Sequence, residues 1–192
     1  MRYIPGIKDE EFIRGKVPMT KREIRLYLMA QANFSATATV LDIGAGTGSI
    51  SIEAALAAPL GKVYAVEKEI EGIELIKTNA AKFGVTNLTP VLGMAPEALC
   101  GLPSADVIFV GGSGGKLNDI LSAAYDLLNP QGKIICTAVT VETLQQALVW
   151  SDTMPVEVDA CNLQVTRLKK AGRYHMFEAL NPISIISFIQ KR

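Results

Sequence analysis

Short, unbroken apolar runs alternate along the chain with longer stretches of helical spacing. The first run is Thr39–Ile43 (TVLDI), followed by Gly44–Gly48. A helical stretch over about Gly48–Ala58 stops at Pro59. The second run is Lys62–Glu67 (KVYAVE), and a helix over about Ile70–Phe83 follows, with Ile73, Ile76, Ala80 and Phe83 on one face. Gly84 is placed to stop it. Further strands are predicted at Leu88–Leu92, Asp106–Val110 and Lys133–Ala138, with helices at Leu117–Leu128 and Val141–Trp150. Strands that alternate with helices in this way predict an α/β domain built on a parallel sheet.

Both ends of the chain break the pattern. Pro155–Lys169 alternates apolar and polar residues, Ala171-Gly172 reads as a turn, and His175–Ile189 is a second extended run. An antiparallel C-terminal hairpin is predicted; helix is the alternative, disfavoured by the β-branched content. Near the start, Thr20 is followed by Glu23 and an apolar run, the spacing of a capping box that opens a helix through about Ala32. The expected organisation is one domain over 1–192. It comprises an N-terminal helical cap (1–35), an α/β core (36–150) and the hairpin (151–192).

Composition narrows the class. The 192 residues are 49% hydrophobic, with 19 basic and 19 acidic side chains and zero formal net charge. A chain of this length buries about 70% of its unfolded surface and needs no disulfide or metal to hold a core. Disorder is excluded by the apolar content, and a generic nucleic-acid binder is disfavoured because no basic excess exists. Cys100, Cys136 and Cys161 stand far apart with no CxxC spacing, and His175 is the one histidine, so no metal site is expected. The opening segment has no apolar signal-like stretch and no run reaches the ~18 apolar residues of a membrane span. A cytoplasmic protein with no membrane partner is expected. The mean hydropathy of +0.26 hints at surface covered by another subunit.

The chemistry concentrates in Asp42-Ile43-Gly44-Ala45-Gly46-Thr47-Gly48, a strand that feeds through glycines into a helix. Glycines allow close backbone approach, and the helix start offers free N–H groups, a combination that binds a nucleotide-type ligand at the C-terminal edge of a sheet. A dinucleotide loop reads G-x-G-x-x-G; here the third glycine comes one position early. The D-x-G-x-G-x-G pattern resembles motif I of the class I methyltransferases that use S-adenosylmethionine. That resemblance implies that Asp42 orients the loop and the cofactor's amino-acid end, and that Gly44, Ala45, Gly46, Thr47 and Gly48 pack against its methionine and ribose. Glu67 ends the second strand, where a carboxylate accepts hydrogen bonds from both ribose hydroxyls. Gly93-Met94-Ala95 resembles the segment flanking adenine. The usual acid is replaced by Met94, which leaves the Ala95 backbone N–H as the adenine contact; Met94 itself either packs on adenine or belongs to the core.

After the fourth strand stands Gly111-Gly112-Ser113-Gly114-Gly115, with neither the [DN]-P-P-[YF] signature of nucleobase amine methylation nor a Pro-Cys pair. Gly112, Ser113, Gly114 and the Lys116 charge form a candidate carboxylate site; a flexible linker is the alternative. The chain as a whole resembles the decarboxylating precorrin (cobalt-precorrin-6B) carbon-15 methyltransferase family of cobalamin biosynthesis. The likeness rests on Gly6-Ile-Lys-Asp9, Val17-Pro18-Met19-Thr20 with Glu23 and Arg25, Asp42–Gly48, Ala95-Pro96-Glu97-Ala98-Leu99, Val110–Gly115 and Asn181-Pro182. It implies a seven-stranded, mostly parallel Rossmann-like sheet with an antiparallel last strand, S-adenosyl-L-methionine as cofactor, and a tetrapyrrole substrate methylated and decarboxylated together. It also implies a homo-oligomer, a tetramer, and a role for Thr20 against the cofactor. Whether a separate carbon-5 methyltransferase is a partner stays open.

Such a substrate is a polycarboxylate and needs local positive charge. Arg14, Lys16, Lys21, Arg22 and Arg25, offset by Glu23, give +4 in residues 14–25; Arg167, Lys169, Lys170 and Arg173 give +4 in 167–173. Arg14 and Arg22 are the candidate substrate arginines. The same clusters read equally as solvated faces, or as the RNA-binding surface of an RNA methyltransferase of related fold. A non-enzymatic adenosine-nucleotide sensor is the third reading. His175 and Tyr174 are the tempting acid–base pair, the cysteines read as small apolar fillers, and Trp150 as core or interface.

Overall fold

The computed structural model describes residues 3–191; Met1, Arg2 and Arg192, which the 1–192 domain takes in, lie outside the described residues. Strands β1 (Thr39–Ile43), β2 (Lys62–Glu67), β3 (Leu88–Leu92), β4 (Ala105–Val110) and β5 (Leu128–Ala138) run parallel. Helices α2 (Ser49–Ala57), α3 (Ile70–Lys82), α4 (Leu117–Asp126) and α5 (Val141–Asp152) connect or follow them. Strands β6 (Val156–Leu163) and β9 (Ile183–Gln190) complete the sheet. Among the described residues it has seven strands in the order β3-β2-β1-β4-β5-β9-β6. β9 is antiparallel to both neighbours. This is the expected class I methyltransferase sheet. Its central strands read as continuous apolar runs because both faces are covered: Val40, Leu41, Ile43, Val107, Ile108 and Phe109 are all buried. Strand order reverses between β1 and β4, which opens a crevice at their C-terminal ends.

The C-terminal region departs from a single hairpin. The turn falls where the sequence puts it, with Ala171 paired to Tyr174, but each long run is broken once. The inner halves, β6 and β9, join the main sheet; the outer halves, β7 (Thr166–Ala171) and β8 (Tyr174–Ala179), form a separate two-stranded ribbon. The breaks lie at Gln164-Val165 and Leu180–Pro182, where proline cannot donate to a ladder. The Leu180 N–H bonds Val165 O at 2.8 Å, and Gln164 Nε2 donates to Leu180 O at 2.6 Å. Large apolar side chains on the ribbon, Leu168 and Phe177 among them, remain exposed.

Helix α1 (Arg22–Ala32) ends where expected but is not opened by a capping box. Lys21 occupies the N-cap and no side chain caps it locally. The Arg22 N–H instead donates to Asp9 Oδ1 at 2.9 Å, and Glu23 accepts from Arg167 at 3.0 Å. Asp9 opens a single 3-10 turn, Asp9–Glu11, in an otherwise irregular N-terminal segment. This strap is tied down by polar contacts. Asn79 of α3 exchanges two hydrogen bonds with Ile13, and Glu71 accepts from the Lys16 N–H at 2.7 Å.

At the strap's base Arg25 is fully buried, which takes it out of the surface charge counted over residues 14–25. It bonds Asp9 Oδ1 and Glu53 Oε1, each at 2.9 Å, and donates to the carbonyls of Thr20 and Ile7. Its guanidinium lies 4.8 Å from the centroid of the Phe12 ring. Removing one partner of a buried pair leaves the other charged and unpaired, at a cost of about 3–5 kcal/mol. Arg25→Ala is therefore expected to lower the free energy of unfolding by that amount in urea titrations. A loss below about 1 kcal/mol would show that the remaining donors satisfy Asp9 and Glu53.

Candidate active site

A cavity of about 430 Å³ opens at the C-terminal ends of β1, β2 and β4, inside the roughly 300–1,000 Å³ range of small-ligand sites. Its floor comes from Gly44 and Gly46 after β1, and one side from Glu67–Glu69 at the end of β2. Gly93–Ala95 after β3 and Gly111–Gly114 after β4 form the others, and Val17 and Pro18 of the strap roof it.

Two glycines fix this shape. At Gly44 (φ +76°) an added Cβ would lie 2.8 Å from Gly112 N, so the loops after β1 and β4 touch backbone to backbone. At Gly46 (φ +57°) it would lie 2.7 Å from Pro18 O. Side chains at either place would displace the cavity wall, and L-residues rarely adopt these angles. The loop is held by hydrogen bonds from the N–H groups of Gly44 and Ala45 to Val66 O, at 2.9 and 3.1 Å.

Glu67 is buried yet lines the cavity. Its Oε2 accepts from Gly46 N–H at 2.8 Å and its Oε1 from Glu69 N–H at 2.9 Å. Two backbone donors thus lock the side chain, and each oxygen keeps a second acceptor position. A pair of neighbouring hydroxyls is the matching donor set. The Ala95 N–H forms no hydrogen bond among the described residues, and Met94 beside it is half exposed at the cavity wall, not core.

Asp42 lies behind the loop, outside the cavity wall. Ser51 Oγ donates to Asp42 Oδ2, whereas Asp42 Oδ1 and Thr47 Oγ1 are buried without a protein partner. Burial pushes the Asp42 carboxyl up to about 6, against a smaller lowering by Ser51. Orphaned buried polar atoms are uncommon in folded proteins and mark places where a bound group completes the shell. Ala45, Thr47 and Gly48 shape the loop without lining the cavity.

The cations expected at the site are not there. Lys116 Nζ pairs with Glu97 Oε1 at 2.7 Å on the surface, and this hydrogen bond holds the Glu97 carboxyl below its usual range. Arg14 is exposed and borders neither this cavity nor the one beside it. Arg22 is exposed too, and its Nε turns toward Gly6 instead. Thr20 borders a neighbouring cavity rather than this one. Arg167 bonds Glu23 and Asp9, and Lys169 bonds Glu178 at 3.0 Å. With Arg25 buried as well, three of the nine cations in the two basic clusters are tied to carboxylates, while Arg14, Lys16, Lys21, Arg22, Lys170 and Arg173 have no ion-pair partner among the described residues. Cys100 is exposed rather than a filler, Cys136 is buried, and His175 sits exposed on the ribbon. Trp150 is core, with its Nε1–H donating to Ser122 Oγ at 3.0 Å. Among the described residues no cluster of three or more potential metal ligands occurs, and no helix is long and apolar enough to cross a membrane.

A family model described as a precorrin methyltransferase domain matches residues 11–190. The chain belongs to the precorrin methyltransferase family. A Pyrobaculum aerophilum relative named "Probable cobalt-precorrin-6B C(15)-methyltransferase (decarboxylating)" is 40% identical over 186 residues, 95% of each chain. A Salmonella typhimurium relative named cobalt-precorrin-6B C(15)-methyltransferase (decarboxylating) is 36% identical over 183 residues, 94% of each. The crystal structure of a precorrin-6y C5,15-methyltransferase from Geobacter metallireducens superposes with a TM-score of 0.92 at 36% identity, covering 98% of this chain and 100% of that one. Membership makes the chain a methyltransferase with an S-adenosylmethionine-type cofactor. The residues present fit such a group: a glycine floor, a locked carboxylate with spare acceptor positions, and orphaned polar atoms under the loop.

Sequence reasoning missed Val17 and Pro18 as the roof and the Glu69 N–H that locks Glu67. Val17-Pro18 was visible as a motif, but a backbone donor leaves no mark in a sequence.

The Asp42 environment sets a pH dependence. Without ligand, the native carboxyl holds its proton to about pH 6, against an ordinary value of 3.8. The native state then binds more protons than the unfolded state across that window, so this contribution to stability is complete below pH 3.8 and is lost as pH rises through 6. Asp42→Asn cannot ionise. The melting temperature of D42N relative to wild type is expected to climb between pH 4 and pH 7; parallel curves would show that Asp42 does not titrate there.

Proposed function

We propose that this chain transfers a methyl group from S-adenosyl-L-methionine to carbon 15 of precorrin-6B or its cobalt form, with the ring C acetate carboxyl lost as carbon dioxide. The observation that carries this reading is the Gly44–Gly46 cavity with Glu67 locked at its wall, in a chain of the precorrin methyltransferase family. Glu67 would receive the ribose hydroxyls, the Ala95 N–H an adenine ring nitrogen, and Gly44, Gly46 and Gly112 the backbone-close part of the ligand. Asp42 and Thr47 would support the amino-acid end through the loop. When bound, the cofactor supplies a methyl group on a sulfonium sulfur, whose neutral thioether leaves without protonation.

The chain's own work is then alignment rather than acid–base chemistry, consistent with the exposed position of His175 on the ribbon. Holding two reactants in line is worth about 7–11 kcal/mol at best. Exposed cations that keep their charge, Arg14, Lys16 and Arg22 at one end and Lys170 and Arg173 on the ribbon, attract a polycarboxylate. The exposed ribbon residues Leu168, Tyr174, Met176 and Phe177 support a homo-oligomer, a tetramer, that covers them. Three free thiols suit the reducing cytoplasm.

The direct test is mass spectrometry of the tetrapyrrole after incubation with protein and labelled cofactor, with methyl gain and carbon dioxide loss expected on the same molecule. Unaltered tetrapyrrole would refute the assignment. Glu67→Ala is expected to weaken S-adenosylhomocysteine binding at least about tenfold by calorimetry, the scale of losing charge-assisted hydrogen bonds. Unchanged affinity would reject the ribose role.

A further inference from the structure

A second cavity, of about 380 Å³, adjoins the first and shares Pro18 and Gly111 with it. Four separated segments build it: the strap at Met19–Lys21, Ile24 of α1, the end of β5 at Thr137 and Val139, and the break where the hairpin leaves the sheet. The break contributes Val165, Leu180, Asn181 and Ile183. Most of the wall is therefore aliphatic. Four polar side chains interrupt it: Thr137, whose Oγ1 donates to Val110 O at 3.5 Å, and Thr20, Lys21 and Asn181. Lys21 and Asn181 are the two of these with N–H donors on the side chain. Neither side chain has a hydrogen-bond or ion-pair partner among the described residues, although both stand on backbone that is firmly held. Lys21 lies between Thr20, whose carbonyl bonds Arg25, and Arg22, whose N–H bonds Asp9. Asn181 follows Leu180, which is fixed to Val165 and Gln164.

We infer that this second cavity seats the methyl acceptor, with Lys21 and Asn181 together holding a carboxylate on the edge of one pyrrole ring. The inference rests on the methyl-transfer reading given above. An acceptor must meet the methyl group where the two cavities join, and there the partition is Gly111, which has no side chain to block passage, and Pro18. The aliphatic wall suits the face of a ring. An ammonium and an amide N–H₂ are complementary to a carboxylate, and the cost of leaving a cation beside apolar walls is relieved when that carboxylate arrives. A volume of 380 Å³ admits one substituted ring, and the rest of the macrocycle extends past the exposed Asn181 into solvent. Asn181-Pro182 thereby gains a role: the proline ends the ladder and the asparagine is delivered to the acceptor.

Lys21→Met and Asn181→Leu are the test, since both positions lie outside the packed core. Each is expected to raise the KM for the tetrapyrrole at least about tenfold, with the loss falling on KM rather than kcat and S-adenosylhomocysteine affinity unchanged. Lys21→Arg is expected to restore most of the loss. An unchanged KM would overturn the inference, and so would a parallel fall in cofactor affinity, which would mark a structural role. If wild-type protein fails to methylate the tetrapyrrole, the proposed function fails on its own. Absorbance titration of the coloured tetrapyrrole into the protein loaded with S-adenosylhomocysteine then decides the cavity: weaker binding by both variants upholds it, and equal binding overturns it.

Discussion

The path of the N-terminal strap is set by one buried cation. Arg25 points inward from α1 and is met by two carboxylates and by the carbonyls of Ile7 and Thr20, near the two ends of the strap. A buried ion pair adds little net stability over a well-packed apolar core. What it adds here is selection among paths, because a strap that ran elsewhere would leave a guanidinium and two carboxylates buried without partners. Along the selected path Pro18 O passes over Gly46, close enough to exclude any side chain there. The depth of the glycine-floored cavity thus follows from an interaction made by residues that never touch it.

Asp9 extends this constraint to the ribbon. It accepts from Arg25, from Arg167 of β7 and from the backbone of Arg22. Burial alone would raise its carboxyl; the hydrogen bonds from Arg25 and Arg167 outweigh that and hold it below its ordinary value. Asp42 shows the opposite balance. It is fully buried, has one donor in Ser51, and keeps one oxygen unpaired. The chain satisfies its buried carboxylate where the strap must be held and leaves one unsatisfied beneath the loop that faces the ligand. Departures from polar satisfaction of this kind concentrate at functional sites.

The parallel core was legible because its signal is local. A strand buried on both faces must be an apolar run, and Gly44–Gly48, Pro59 and Gly84 punctuate the runs. The strap was not legible, since it has no periodicity and its partners lie far off in sequence: Glu53 is 28 positions from Arg25 and Asn79 is 66 from Ile13. Arg25 itself carried a clue. It falls in the stripe with Leu28, Met29 and Ala32, the i, i+3, i+4, i+7 spacing of a buried face; counted as one more charge in a basic run, it looked like surface. Thr20 and Glu23 imitate a capping box, but the helix starts one residue later, Asp9 caps the Arg22 N–H and Arg167 takes the Glu23 carboxylate. In the hairpin, Ala171-Gly172 announced the turn, whereas the break depended on Pro182, whose effect is clear only once β9 is placed between β5 and β6. At the site, Gly44, Gly46 and Glu67 were readable from a strand–loop–helix pattern, and Lys116 was not, because its partner Glu97 follows a different strand.

These pairings change how a neutral protein can hold a polyanion. Charges counted along the chain overstate those available, since Arg25, Arg167, Lys169 and Lys116 all meet carboxylates within 3.0 Å. The positive charge left for a polyanion is that of the unpaired cations, Arg14, Lys16, Lys21 and Arg22 near the strap and Lys170 and Arg173 on the ribbon. Of these, Lys21 borders the second cavity and lies on the same strap as Pro18. One length of backbone roofs the first cavity and walls its neighbour, so any shift of the strap alters both at once. The buried arginine that fixes the strap accordingly fixes the distance between the two cavities, and in a reaction governed by alignment that distance is the quantity the fold must hold.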